Sequence, residues 1–230
     1  MLHLEGLHLR QDDFALTADW SLPAGARLAL IGPSGAGKST LLAALGGFLT
    51  PARGRILWQG RDITALPPGQ RPITTLFQDQ NLFPHLTVAQ NLGLGIAPDL
   101  RLSSADHARI DAALERTGLS GLGPRKPAQL SGGQQSRAAL ARALLRAKPV
   151  LMLDEPFAAL GPALKAEMLA LVAELSADTA ATVLMVTHDP DDALALCPLT
   201  SLVAEGRADA PVRTNALMAD PPAALMAYLG

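Results

Sequence analysis

The sequence predicts an α/β fold, a parallel sheet wrapped by helices. Three observations carry that expectation. Short buried apolar runs recur at residues 27–31, 150–153 and 183–186. Stretches with helical periodicity lie between them. A glycine-rich loop joins the first run directly to a helix. Strands that alternate with helices pack as a parallel sheet with helices on its faces.

The elements follow in order. Leu2 to Leu9 alternates apolar and polar residues, the pattern of a strand with one buried face. Phe14 to Leu22 returns as a second strand, and Pro23-Ala24-Gly25 is a turn. Arg27 to Ile31 is a buried strand, and Thr40 to Leu45 begins the helix after the glycine-rich loop. Pro51 to Gly54 turns into a short strand at Arg55 to Trp58, with a further turn at Gln59-Gly60. Ile73 to Phe77 is the next strand and ends at Gln78. From about Val88 to Ala147 the periodicity is helical, with helices at Ala105 to Thr117 and Gln134 to Lys148. Strand character returns at Val150 to Leu153, Val183 to Val186 and, weakly, Ser201 to Ala204, with a helix at Pro162 to Leu175. A short helix is expected at Pro222 to Leu229. The helical block lies between two strand-bearing halves, which predicts an inserted subdomain. Pro67-Pro68-Gly69 and Pro221-Pro222 read as breakers and not as linkers.

Composition narrows the function classes. The 230 residues suffice for one large domain or a domain with a subdomain. Hydrophobic residues make up 49% and aromatics only 3%, so Ala, Leu and Val must build the core. The net charge of −2 offers no basic footprint for nucleic acid. A single cysteine, Cys197, excludes a disulfide framework and a cysteine zinc site, and fits a reducing cytosol. The N-terminus lacks a charged segment followed by an apolar stretch, so no signal peptide is expected. No stretch reaches the ~18 uninterrupted apolar residues of a membrane span, so a membrane role must come through a partner.

Three motifs carry chemistry. Gly32-Pro33-Ser34-Gly35-Ala36-Gly37-Lys38-Ser39 fits G-x-x-x-x-G-K-[ST] between a strand and a helix, the context this motif requires. Gly35 and Gly37 remove side chains, so main-chain N–H groups can converge on phosphate oxygens. The helix N-terminus adds positive potential at the same place. Lys38 would reach the β- and γ-phosphates and Ser39 would ligate Mg²⁺. A plain glycine-rich turn with a surface lysine is the alternative, and the flanking strand and helix speak against it. Val150 to Leu153 ends in Asp154-Glu155, a buried strand delivering two carboxylates. Asp154 would hold the metal, directly or through water, and Glu155 would act as general base on the attacking water. Leu130-Ser131-Gly132-Gly133-Gln134 places two glycines at a helix entry, a second anion-binding N-terminus. An ordinary Ser-Gly-Gly helix start would look the same.

Taken in order, GPSGAGKST at Gly32 to Thr40, Gln78, LSGGQ at Leu130 to Gln134, VLMLDEP at Val150 to Pro156 and His188 within Met185 to Asp189 resemble the ATP-binding-cassette (ABC) ATPase subunits. The resemblance covers nearly the whole chain. It implies one ABC ATPase domain over residues 1–230. A P-loop NTPase (RecA-like) core with a mainly parallel sheet and an N-terminal antiparallel β-subdomain would occupy about 1–84 and 147–230. An inserted α-helical subdomain carrying the signature would occupy about 85–146. ATP and Mg²⁺ are the implied cofactors. Gly32, Pro33, Ser34, Gly35, Ala36, Gly37, Lys38, Ser39 and Thr40 would bind the nucleotide. Ser39, Gln78 and Asp154, the last through water, would hold Mg²⁺. Glu155, His188 and Gln78 would be catalytic, with His188 bonded to the γ-phosphate and Gln78 touching the metal and attacking water. Ser131, Gly132, Gly133 and Gln134 would act in trans, completing the site of a second copy in a head-to-tail homodimer. The implied partners are transmembrane permease subunits and, indirectly, a periplasmic solute-binding protein, with the chain peripheral on the cytoplasmic face of the inner membrane.

Phe77 to Asn91 resembles bacterial importers, in which this region faces the coupling helix of the membrane subunit. Gly46 to Pro51 and Asn91 to Gly95 resemble the ATPases of thiamine importers. Termination at Gly230, without the regulatory domain usual in sugar and metal importers, points the same way. Importers of polyamine, iron or molybdate, a soluble cassette ATPase and a nucleotide-binding regulator that does not hydrolyse remain alternatives. Three positions depart from the family pattern. Gly161 stands where an aspartate is usual, which predicts weaker communication between the two sites. Ser136-Arg137 replaces Gln-Arg, which predicts looser contacts there. No clear adenine-stacking aromatic is present between the first two strands, where Phe14 and Arg10 are the candidates and Phe14 could equally be core.

Overall fold

A computed structural model describes the main chain of residues 1–77 and 82–229, and side chains up to residue 226. Strands β1 (Leu2–Gln11) and β2 (Phe14–Leu22) form a hairpin, and β4 (Arg53–Trp58) and β5 (Arg61–Asp62) add to its β1 side, all antiparallel. The strands β3 (Arg27–Ile31), β6 (Ile73–Leu76), β7 (Val150–Asp154), β8 (Thr182–Val186) and β9 (Leu199–Ala204) are mutually parallel, in the order β9-β3-β8-β7-β6. A two-residue strand, β10 (Arg207–Ala208), pairs with both β2 and β9 and joins the two parts into one sheet. Strand β11 (Val212–Arg213) pairs with β9. The fold is thus α/β, as the alternation of strands and helices predicts, and the sheet is mixed because the antiparallel strands join the parallel ones.

Helix α1 (Lys38–Gly46) follows β3, while α2 (Val88–Gly93), α3 (Ser104–Arg116) and α4 (Gly132–Leu145) lie between β6 and β7. Helices α5 (Pro162–Thr179), α6 (Pro190–Leu196), α7 (Thr214–Ala219) and α8 (Ala223–Leu229) complete the chain. The parallel strands are buried on both faces, which is why they read as unbroken apolar runs. Leu28, Leu30, Met152 and Val186 join α1 and the antiparallel strands in one core. Ala29, Ile31, Leu153 and Met185 join α4, α5 and α6 in a second. A third core, with Val88, Leu92, Ile110, Leu114 and Ala138, lies among α2, α3 and α4.

Several elements differ from the sequence expectation. The alternation in β1 breaks between Leu4 and Leu7, where the pairing register shifts and Gly6 takes φ +51°. The bulge resets the phase, so that Leu2, Leu4, Leu7 and Leu9 all face the core. Helix α4 stops at Leu145, three residues short of the expected Lys148, and Ala147 takes φ +50°. Helix α5 runs on to Thr179, past the expected Leu175.

Arg71 is 1% exposed and faces no carboxylate at hydrogen-bonding distance among the described residues. Its Nη1 donates to the carbonyls of Ala44 and Leu45, both at 2.7 Å, its Nε to Leu66 O at 2.9 Å and its Nη2 to Thr64 O at 2.6 Å. The guanidinium therefore closes the C-terminal end of α1, where carbonyl groups lack helical partners and the dipole favours a cation. Cys197 is buried against α5 and α6, and burial pushes its thiol up to about 12.

Candidate nucleotide site

The site forms where β3 ends. At Gly32 the chain takes φ +149° and passes so close to β9 that a Cβ would lie 2.0 Å from Val203 O. Gly35 takes φ +78° and Gly37 φ +101°, and Gly37 caps α1 without a side-chain bond to its first N–H groups. Glycine is the residue that adopts these conformations at low cost. The loop they shape bounds a pocket of about 460 Å³, lined by Ser34, Gly35, Gly37, Lys38, Ser39 and Thr40 together with Gln11, Phe14, Glu155 and His188. That volume lies within the ordinary range for a small-molecule site.

Lys38 is 8% exposed, and its Nζ donates to Gly32 O at 2.7 Å and Pro33 O at 2.9 Å. Burial lowers its pKa, opposed by the nearby charges of Glu155 and Asp154. Asp154 ends β7 beside α1, and Ser39 Oγ donates to its Oδ1 at 3.4 Å. Burial, and then the Glu155 charge, push its carboxyl above the usual range against the Ser39 bond and Lys38. Glu155 takes φ +44°, its N–H donates to Val186 O at 3.1 Å, and its Oε2 lies 3.1 Å from His188 Nδ1. The positive φ is costly for a side chain with a Cβ. It coincides with the carboxylate lining the pocket opposite Lys38.

Among the sequence candidates, the structure gathers Ser34, Gly35, Gly37, Lys38, Ser39, Thr40, Glu155 and His188 on one pocket, with Asp154 joined to it through Ser39. Gln78 lies outside the described residues. Ser131, Gly132, Gly133 and Gln134 line no part of this pocket. They start α4, where Ser131 Oγ accepts from the Gln134 N–H at 3.3 Å and Gln134 Oε1 accepts from the Ser131 N–H at 3.0 Å, a reciprocal cap. Phe14 lies at the lip, its ring so near Gly37 that a Cβ there would be 2.4 Å away, and it also packs on the core. Arg10 is exposed and does not line the pocket. Arg137 pairs with Glu167 and donates to Thr117 O at 3.2 Å, while Arg142 covers the Phe83 ring at 5.9 Å. Sequence reasoning missed Arg71 and Gln11, neither of which belongs to a motif.

A second concavity, about 360 Å³, opens between the end of α1, β6 and α4. Phe48, Phe77 and Phe83 are 59%, 38% and 46% exposed on it, with Arg142 and Arg146 at its wall.

A glycine-shaped loop gripping a lysine at the mouth of a parallel sheet, with carboxylates delivered by a strand two places away, defines a P-loop nucleotide-binding protein. A helical layer inserted between β6 and β7 and an antiparallel arm on the far edge narrow the class. The chain belongs to the ABC transporter family, whose model matches residues 16–158. It is 69% identical over 230 residues, all of both chains, to the thiamine import ATP-binding protein ThiQ of Cereibacter sphaeroides. It is 48% identical to the protein of the same name from Yersinia pseudotuberculosis, over all of this chain and 97% of that one. Among solved structures it superposes with TM-score 0.89 and 28% identity on MJ1267, an ATP-binding cassette of an ABC transporter, over 100% of this chain and 99% of that one. A dimeric post-hydrolysis state of the cassette MJ0796 bound to ADP and Pi matches with TM-score 0.80 and 27% identity, over 93% and 99%.

Proposed function

We propose that this chain is the ATP-binding and ATP-hydrolysing subunit of a bacterial importer that takes up thiamine or its phosphates. The observation that carries the hydrolytic reading is the meeting of the Lys38 loop with the Glu155–His188 pair on one pocket. The names of relatives 48% to 69% identical over the full chain support the cargo. The cargo rests on that likeness.

Residues 32–40 wrap the triphosphate with main-chain N–H groups, and Lys38 exchanges the carbonyls of Gly32 and Pro33 for phosphate oxygens. Phe14 at the pocket lip is placed to lie against the base. Ser39 Oγ and the Asp154 carboxylate form an all-oxygen pair of the kind a hard cation takes beside its waters, so these two would hold Mg²⁺ there; Gln78, outside the described residues, is the further ligand that the family resemblance implies. Bound there, Mg²⁺ supplies positive charge against the phosphate oxygens. Glu155 takes a proton from the attacking water as its oxygen bonds to the γ-phosphorus, and the ADP oxygen leaves. His188, held on Glu155, bonds the γ-phosphate oxygens. Ser131 to Gln134 reach the γ-phosphate of a second copy, because one chain cannot present both helix N-termini to it. The head-to-tail dimer closes on ATP and opens after hydrolysis. The aromatic groove at Phe48, Phe77 and Phe83 receives the permease, which places the chain on the cytoplasmic face of the inner membrane.

The test is reconstitution with the permease and solute-binding protein. Glu155→Gln should bind ATP, dimerise with Mg-ATP and release no phosphate, while the wild type hydrolyses ATP in step with thiamine uptake. Undiminished phosphate release by Glu155→Gln would overturn the hydrolytic assignment. Hydrolysis stimulated by another solute and not by thiamine would overturn the cargo.

A further inference from the structure

His188 occupies a three-residue loop between β8 and α6, yet neighbours on both sides of it are tied to one lysine on another helix. Lys165 lies in the first turn of α5, and its Nζ pairs with Asp189 and, at 2.8 Å, with Asp192 Oδ1. Asp192 Oδ2 accepts from Thr187 Oγ1 at 2.9 Å, and the Asp189 N–H donates to the same hydroxyl at 3.0 Å. Thr187 and Asp189, the residues flanking His188, are thus closed into a ring of hydrogen bonds whose cation is Lys165. The side chains of Lys165 and Asp192 are only 21% and 14% exposed, so the network is more than a solvated surface pair. The lysine also holds the start of α5, because its main-chain N–H donates to Gly161 O at 2.9 Å. Glu155, His188, Thr187, Lys165 and Asp192 all line a cavity of about 30 Å³ beneath the Glu155–His188 contact. That is room for one water with polar partners on several sides.

We propose that Lys165 is a positioning residue for hydrolysis, which fixes the His188 loop through Asp189 and Asp192 and keeps the imidazole on Glu155 and the γ-phosphate. The inference rests on the hydrolytic reading above. The electrostatics agree with it: burial works against the Lys165 charge, but hydrogen bonds to the two carboxylates outweigh it and raise its pKa. The Asp189 carboxyl is lowered, first by the Lys165 bond. Because the segment Ala158 to Gly161 leads into α5 and Gly161 caps it, Lys165 also links that segment mechanically to His188. A displaced imidazole costs rate far more than affinity, since Lys38 and the glycine loop still grip the phosphates.

The experiment uses the chain assembled with its permease and measures phosphate release against ATP concentration. Lys165→Met should lower kcat about tenfold with KM for ATP changed less than twofold. Lys165→Arg should restore most of the rate, because a guanidinium can bridge the same two carboxylates. If Lys165→Met does not fold, Asp192→Asn reads the clamp from the α6 side and should show the same split. Wild-type kcat in either folded variant overturns the proposal, as does a parallel rise in KM, failure of Lys165→Arg to rescue a folded Lys165→Met, or unfolding of both variants. An active wild type with unaffected variants sinks this inference alone. An inactive wild type sinks the hydrolytic reading with it.

Discussion

Gly32 is where the phosphate loop is most exposed to a single added carbon. The Gly32→Ala methyl would lie 2.0 Å from Val203 O and 3.0 Å from its carbonyl carbon. Carbon and oxygen need more than an ångström of further separation, and neither atom sits on a rotatable side chain. Relief therefore requires β3 and β9 to part at a point where they are paired in parallel through Ile31 and Leu202. Such overpacking costs about 1–3 kcal/mol. The φ of +149° adds about 1–3 kcal/mol for any residue with a Cβ. A total of about 4 kcal/mol lowers Tm by about 8–16 °C in a chain of this size. Gly35→Ala is the internal control: its φ is +78°, but its Cβ meets nothing within 4 Å. It should lose only the conformational cost, about 1–2 kcal/mol, or about 2–8 °C. Differential scanning calorimetry of the two variants decides the matter. Equal melting temperatures would refute the argument that close approach to β9, and not φ alone, demands glycine at position 32.

Other outcomes follow from the same geometry. Arg71→Met should lower Tm by about 6–12 °C, because two buried and two part-buried carbonyls lose a charged donor and about 3 kcal/mol goes with them; Arg71→Lys should recover part of this and not all, as one ammonium cannot follow the fork. Gly161→Asp introduces a Cβ into open space at the N-cap of α5. It should stabilise by a few tenths of a kcal/mol and raise ATPase rate or its Hill coefficient, and unchanged steady-state kinetics would count against a communicating role for this position.

Local chemistry was legible in the sequence and long-range packing was not. The phosphate loop declares itself because its glycines, lysine and serine act within eight residues. The acidic pair is equally plain, because a run of four buried residues ending in Asp154-Glu155 has one natural geometry. Arg71 gave no signal, since its partners are main-chain carbonyls at residues 44, 45, 64 and 66 and a carbonyl has no sequence identity. Strand β10 escaped notice because two residues carry no periodicity, yet it joins the antiparallel arm to the parallel core. Phe14 stayed between two readings because it has two neighbours, the core beneath it and Gly37 at the pocket. Arg137 and Arg142 share α4 but meet different partners, Glu167 on α5 and the Phe83 ring, which only the packing determines.

The inertness of Cys197 has a practical corollary. Thiolate is the species that reacts with maleimides and disulfides, and a buried thiol titrating at about 12 supplies almost none of it at neutral pH. The native chain is thus a silent background for labelling. Single reporter thiols placed at exposed positions away from the nucleotide pocket, such as Ser104 or Ser120, can be tagged for distance measurements during turnover without first engineering the natural one away.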